Sequence, residues 1–333
     1  MRAVSFGTPT IGAVLHFARS RVTPPARPPS APSRRAPAEH LPVLLDEAIR
    51  FLNPRPGGRY LDATFGRGGH ARGILAATPG ARVLGLDKDP DAAPEAERLA
   101  ARNPCFSFLA HDFVALGDAL DKAGWDRVDG ILFDLGLSSP QIDTGKRGFS
   151  LRRPGPLDMR FDSASGGETA AELLDRLDER DIADLLYRFG ERRSRRIARR
   201  IVHRRPLRTT GDLRAAVIAA TGPRRGRIDP ATRTFLAVRS AVNREEEALA
   251  AALDEAPKRL APGGALVVIA YHSGEDRPVK HGFRALAATR EFEVATKRPL
   301  RPGEAERAAN PRSRSARLRV LRRAPTDSGG APP

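Results

Sequence analysis

The sequence predicts an α/β protein with a mainly parallel sheet and an all-helical insert. Three observations carry that prediction. Short apolar runs ending in acids alternate with helix-patterned stretches from Tyr60 to Asp134. The first run leads into a glycine-rich turn that opens a helix. The alternation stops after Pro140 and resumes near Glu245. Alternation at this spacing builds parallel strands with helices on both faces, a Rossmann-like arrangement.

Taken in order, Val43 to Leu52 has helical apolar spacing. Strands are expected at Tyr60–Asp62, Val83–Asp87, Phe106–Ala110 and Val128–Asp134. Between and after them, helices are expected at Gly69–Ala77, Asp91–Arg102 and Phe113–Lys122. From about Thr144 to Asn243 there is helical periodicity without a convincing buried strand. Ala170–Leu177, Asp181–Phe189, Arg193–His203 and Asp212–Ala220 read as its helices. Glu245–Leu260 is a further helix, Pro262-Gly263-Gly264 a turn, and Ala265–Tyr271 a buried strand. Phe292–Thr296 and Ala316–Leu321 close the sheet as a hairpin-like pair. The organisation is therefore a sheet domain from residues 40–143 and 244–323, a helical substrate-recognition insert at 144–243, a disordered basic leader at 1–39 and a disordered tail at 324–333.

Charge narrows the function classes. The 333 residues hold 57 Lys and Arg against 40 Asp and Glu, a net +17. Such an excess favours a polyanionic partner, nucleic acid by default. The alternative is a high-GC genome that inflates Arg and Ala throughout. Aromatic residues are only 5% of the chain, which argues against a base-stacking platform. A single cysteine, Cys105, excludes an intramolecular disulfide and a CxxC zinc pattern. It is expected in the core, with nothing nearby to activate it. No run approaches the roughly 18 apolar residues of a membrane span. Before Glu39 the leader carries six arginines and no acid. It resembles an organellar transit peptide, but an RNA-touching arm or an upstream start codon is preferred, and the chain reads as cytoplasmic.

Chemistry concentrates at the strand ends. Tyr60 to His70 contains Gly66, Gly68 and Ala71 in the G-x-G-x-x-A spacing, which lets a backbone approach a nucleotide closely. That pattern alone admits NAD. Asp62, four residues before Gly66, is more typical of S-adenosylmethionine (SAM) sites, where an acid helps hold the methionine ammonium. Asp87, ending the next strand, is placed for ribose hydroxyls or, alternatively, caps the following helix. Asp134 to Gln141 sets an acid, the Ser138 and Ser139 hydroxyls and an amide at the ligand-binding edge, or forms a simple Asx-turn loop. Tyr271 to Arg277 is a dense polar cluster in which His272 could relay a proton or merely brace the loop, with Ser273 and Glu275 as helix caps. Arg147 to Ser150 and Gly155 to Arg160 read as a loop over the site or an ordinary connector. Three basic runs could contact phosphates or be solvated faces: Arg192 to Arg200, with Ile197 and Ile201 as its core stripe; Arg224, Arg225 and Arg227; and Arg298 to Arg323.

These stretches together resemble the bacterial small-subunit rRNA cytosine-N4 methyltransferases, the RsmH or MraW family. The resemblance runs from His40 to about Val320. It rests on His40 to Leu45, Asp62 to His70, Asp134 to Gln141, Arg147 to Ser150, Gly155 to Arg160, Pro230 to Phe235, His272-Ser273 with Glu275 to Arg277, and Asn310 to Ser313. The family usually has Ser-Phe before His272 and Leu after Ser273; here stand Ala270-Tyr271 and Gly274.

The resemblance implies a class I SAM-dependent methyltransferase fold with a seven-stranded sheet. It implies methylation of one cytosine of 16S rRNA near the ribosomal P site, within the small subunit. It puts the cofactor residues on Gly68, Gly69, His70, Asp87, Phe113, Asp134 and Gln141, beside Asp62 and Gly66. Direct methyl transfer to the exocyclic amine needs no metal. Asp134 or the Ser138–Ser139 turn is expected at the amine, with His272 as the further candidate. RNA contacts are expected from Arg147, Arg160, Arg195, Arg196, Arg233, Arg277 and Arg312. A homodimer is compatible with the sequence. Two competing readings are a ribosome-assembly factor with a vestigial SAM site and an NAD-dependent oxidoreductase.

Overall fold

The computed structural model describes residues 42–137, 141, 144–164, 166–223 and 228–325. The leader, Ser138, Ser139, Arg224, Arg225, Arg227 and the chain beyond 325 lie outside the described residues. Ala324, expected in the tail, still donates its N–H to the Glu291 carbonyl.

Strands β1 (Arg59–Asp62), β2 (Arg82–Asp87), β3 (Phe106–Ala110), β4 (Val128–Asp134), β5 (Leu260–Ala270), β6 (Phe292–Val294) and β7 (Arg317–Arg323) form one sheet in the order β3-β2-β1-β4-β5-β7-β6. The first five pair in parallel and β7 runs antiparallel to both its neighbours. This is the class I methyltransferase topology. The chain winds one way from β1 to β3, then crosses to β4 on the other side. The crevice at that switch, outside the carboxyl ends of β1, β2 and β4, is where such sheets bind ligands.

Helices α1 (Leu45–Leu52), α2 (Gly69–Ala77), α3 (Ala93–Arg102) and α4 (Leu116–Lys122) precede the insert. Strand side chains alternate between two apolar layers. Leu61, Leu84, Ile131, Phe133, Leu266 and Val268 face one. Tyr60, Val83, Leu132, Val267, Ile269 and Val320 face the other. Burial on both faces explains the near-continuous apolar runs.

The insert contains α5 (Ala170–Arg176), α6 (Glu179–Arg188), α7 (Ser194–His203), α8 (Thr210–Thr221) and α9 (Thr232–Val242). They pack round their own cluster, which includes Ile182, Leu186, Ile197, Ile201, Val217 and Phe235. Ile197 and Ile201 fix which side of α7 faces inward, so its arginines face out. Helices α10 (Glu245–Glu255), α11 (Ser273–Ala287) and α12 (Glu304–Ala309) complete the fold. Among the described residues no helix is long and apolar enough to cross a membrane.

The structure differs from expectation in particulars. Helix α11 begins at Ser273, where the Ser273 and Glu275 caps offer a helix start, and continues through Pro278, a residue that disfavours helix interiors. Strand β5 begins at Leu260 and runs through the expected turn, with an irregular register opposite Val128 and Gly130. Helices α9 and α12 were not separately expected. Cys105 is half-buried, not in the core.

Candidate active site

The glycine turn is built from strained geometry. Gly66 and Gly68 have φ of +52° and +69°, in the left-handed region that favours glycine. A Cβ on Gly68 would stand 2.5 Å from the Phe65 ring. The Gly66 N–H donates to Asp87 Oδ2 at 2.7 Å, and the Asp89 N–H to Asp87 Oδ1 at 2.9 Å. Asp87 therefore fastens the turn from β2, whatever ligand it also meets. Burial pushes its carboxyl up to about 6, with those two N–H groups pulling the other way.

Asp62 is 1% exposed. Its Oδ1 takes a long contact from the Thr64 N–H at 3.4 Å, and its Oδ2 is buried without a hydrogen-bond partner among the described residues. Burial raises this carboxyl to about 6, opposed chiefly by His70. An orphaned acid of this kind fits an incoming cationic donor. The donor set thus fits a SAM-like ligand: an acid for its ammonium, an acid for its ribose, and an aromatic at Phe113 for its adenine. Phe113 is held edge-on to Phe133, with ring centroids 5.5 Å apart. Asp87 and Phe113 line one cavity of about 370 Å³, together with Pro42, Asp134, Leu135 and Asn310; Asp62 does not line it but precedes Ala63 and Thr64, which do. That volume lies within the roughly 300–1,000 Å³ of small-molecule pockets.

Asp134 ends β4 at the opposite wall. Its main-chain N–H donates to Thr64 Oγ1 at 2.6 Å. Its Oδ2 lies 3.8 Å from His70 Nδ1. His70 Nε2 sits 3.1 Å from the Val43 carbonyl, which makes that nitrogen the donor. Beyond Asp134 lies a charged cluster that joins the insert to the sheet. Arg239 donates from Nε and Nη2 to the two oxygens of Glu245, each at 2.7 Å. Glu275 Oε1 is 3.6 Å from the same guanidinium. His272 Nε2 lies 2.7 Å from Glu275 Oε1 but out of hydrogen-bond alignment, and both its ring nitrogens lack a hydrogen-bond partner among the described residues. Glu245, His272 and Glu275 offer ligand atoms within 4.8 Å of one another. The Arg239 guanidinium already sits against both carboxylates as their counter-charge.

Residues 37–324 match the profile of the MraW methylase family. The chain belongs to this family. It is 49% identical over 308 residues to the ribosomal RNA small subunit methyltransferase H of Sorangium cellulosum, covering 91% of this chain and 96% of that one. It is 50% identical over 286 residues to the protein of that name from Gloeobacter violaceus, covering 85% and 88%. The solved structure of TrmN from Thermus thermophilus superposes with a TM-score of 0.40 at 14% identity, over 84% of this chain and 48% of that one.

In this member of the MraW methylase family, the expected RNA-binding arginines divide into two groups. Arg147 is engaged inside the protein: it pairs with both oxygens of Asp89, with Asp91 and with the Arg160 and Phe161 carbonyls. Gln141 donates to the same Asp89 at 2.6 Å. Arg147 thus clamps its loop onto the turn after β2, and a phosphate role for it is not retained. Arg160 binds Asp158 through Nε and Nη2, at 2.8 and 2.7 Å. Arg312 is half-buried at the cavity edge. Arg195, Arg196, Arg233 and Arg277 are exposed. In the last basic run, Arg317 and Arg319 pair with Asp276, and Arg322 and Arg323 donate to backbone carbonyls. Those four belong to the fold.

Sequence reasoning missed Arg239, Glu245 and the Tyr271 hydroxyl. Arg239 left one signal, a lone charge within the apolar run Phe235 to Val242. Glu245 read as an ordinary acid at a helix start.

Proposed function

We propose that this protein transfers a methyl group from SAM to N4 of one cytosine near the P site of 16S rRNA, within the small ribosomal subunit in the cytoplasm. The observation that carries the reading is the convergence of Asp87, Phe113 and Asp134 on one cavity, with the buried Asp62 directly before its lining residues Ala63 and Thr64, beside a helical insert with outward-facing arginines. Bound SAM supplies an electrophilic methyl group on a sulfonium. The protein aligns the two reactants and keeps water out. Asp62 holds the ammonium with its unpartnered oxygen. Asp87 accepts from the ribose, and Phe113 lies against the adenine. Asp134 accepts an N4 hydrogen, directs the amine lone pair toward the methyl group and takes up the proton. The cytosine leaves its stack to reach this depth.

The test is transfer from labelled SAM to small subunits lacking the modification, followed by nucleoside mass spectrometry. N4-methylcytidine at a single site is expected. Bound SAM without transfer to a competent particle would overturn the enzymatic reading in favour of an assembly role.

A further inference from the structure

Tyr271 follows β5 and reaches across to β4. Its hydroxyl donates to Asp134 Oδ1 at 2.8 Å. Its main-chain N–H donates to Glu275 Oε2 at 2.7 Å, which ties the residue to the first turn of α11. Its ring packs closely against Gly136, where a Cβ would come within 2.8 and 2.9 Å of two ring atoms. Besides the hydroxyl, Oδ1 takes only the Gly136 N–H at 3.4 Å among the contacts of the described residues. The other oxygen, Oδ2, faces His70 across the cavity wall.

We propose that Tyr271, standing where the family usually has Phe, is a positioning residue for methyl transfer particular to this chain: its hydroxyl holds one oxygen of Asp134 so that the other meets the amine of the target base. The proposal rests on the reading of Asp134 as the amine acceptor. The torsion that turns a carboxylate is broad and soft, so the main chain alone does not set which oxygen faces the cavity. A hydroxyl anchored from a neighbouring strand does. Burial and the adjacent Asp134 carboxylate raise the phenol well above its ordinary range, so it stays a donor at any working pH. Gly136 is the complementary part, since any side chain there would collide with the ring where its hydroxyl reaches Asp134.

The experiment compares Tyr271→Phe with the full-length parent on undermethylated small subunits. The expected result is a kcat lower by about tenfold, with the RNA KM and the SAM Kd each within about twofold, because only alignment at the reacting amine is lost. A residue that merely supported the fold would lower Tm or raise KM and leave kcat alone. Gly136→Ala gives a second route, since it displaces the ring while keeping the hydroxyl, and the same kcat-specific loss is expected. Unchanged kcat in Tyr271→Phe overturns the proposal. Asp134→Asn separates the two claims. Full activity in that variant sinks the role of Asp134 itself. An inactive Asp134→Asn beside a fully active Tyr271→Phe sinks only the role of the tyrosine.

Discussion

The carboxyl edge of the sheet and the outer face of α7 use charge in opposite ways. At the edge, acids and arginines are buried, and most meet a specific partner: Arg239 with Glu245, Arg147 with Asp89. On α7, Arg195, Arg196 and Arg200 are exposed and have no ion pair among the described residues. The first kind of arginine fixes geometry. The second kind leaves a field in solvent, free to meet phosphates. A charge count cannot separate them, because both kinds add equally to the excess of basic residues. Burial and partners do.

Removing a buried partner should give the largest effect. Arg239→Ala would strand Glu245 and Glu275 with uncompensated charge at the seam between insert and sheet. A loss of about 3–5 kcal/mol in unfolding free energy is expected, measured by urea denaturation. A loss below about 1 kcal/mol, the scale of an exposed pair, would show that the seam does not depend on this cluster. Next in size is Asp134→Asn, which keeps shape but removes the proton acceptor. A fall of about 100-fold or more in the rate of methyl transfer at saturating SAM is expected from single-turnover kinetics.

Legibility in the sequence follows the same divide. The central strands β1, β2 and β4 were readable because each is largely apolar and ends at an acid. The acids Asp62, Asp87 and Asp134 stood out because a charge closing a buried strand needs a partner, which for Asp87 includes the N–H groups of Gly66 and Asp89. Arg147 was misread because its value lies in Asp89 and Asp91, more than fifty residues away in the chain. Arg317 and Arg319 read as a basic run, yet Asp276, from another element, neutralises them. Long-range pairing of charges leaves no local pattern, whereas periodicity and turn chemistry do. Tyr271 read only as the start of a polar cluster and as a departure from the usual Phe, and its hydroxyl gained meaning once β4 and β5 stood side by side.

Titration sharpens the contrast at the edge. Asp62 and Asp87 are both raised to about 6 in the free protein. Their contribution to apoprotein stability is fully present below the ordinary carboxylate range and is lost as pH rises through 6. Pairing Asp62 with an ammonium reverses the sign, since the ligand selects the ionised acid. SAM affinity should therefore rise with pH up to about 6 and level off above it, by at most about tenfold per pH unit for one coupled proton. Calorimetry at pH 6 in two buffers of different ionisation enthalpy should show proton release on binding. A pH-independent Kd from 5 to 7 would remove Asp62 from the ammonium.

The exposed face should give the smallest effect on the protein and a diagnostic one on RNA. Arg195→Ala with Arg196→Ala removes two solvent-facing cations and no internal partner. Stability should move by no more than about 0.5 kcal/mol. If both groups touch phosphates, the slope of log affinity against log salt should become shallower by about 0.7–0.9 for each. SAM affinity and kcat at saturating RNA should stay unchanged, because neither residue reaches the cavity. An unaltered salt slope would show that this face of α7 is only solvated. The RNA would then have to be held by Arg233, Arg277 and the remaining exposed arginines, and the same measurement on those residues would locate the footprint.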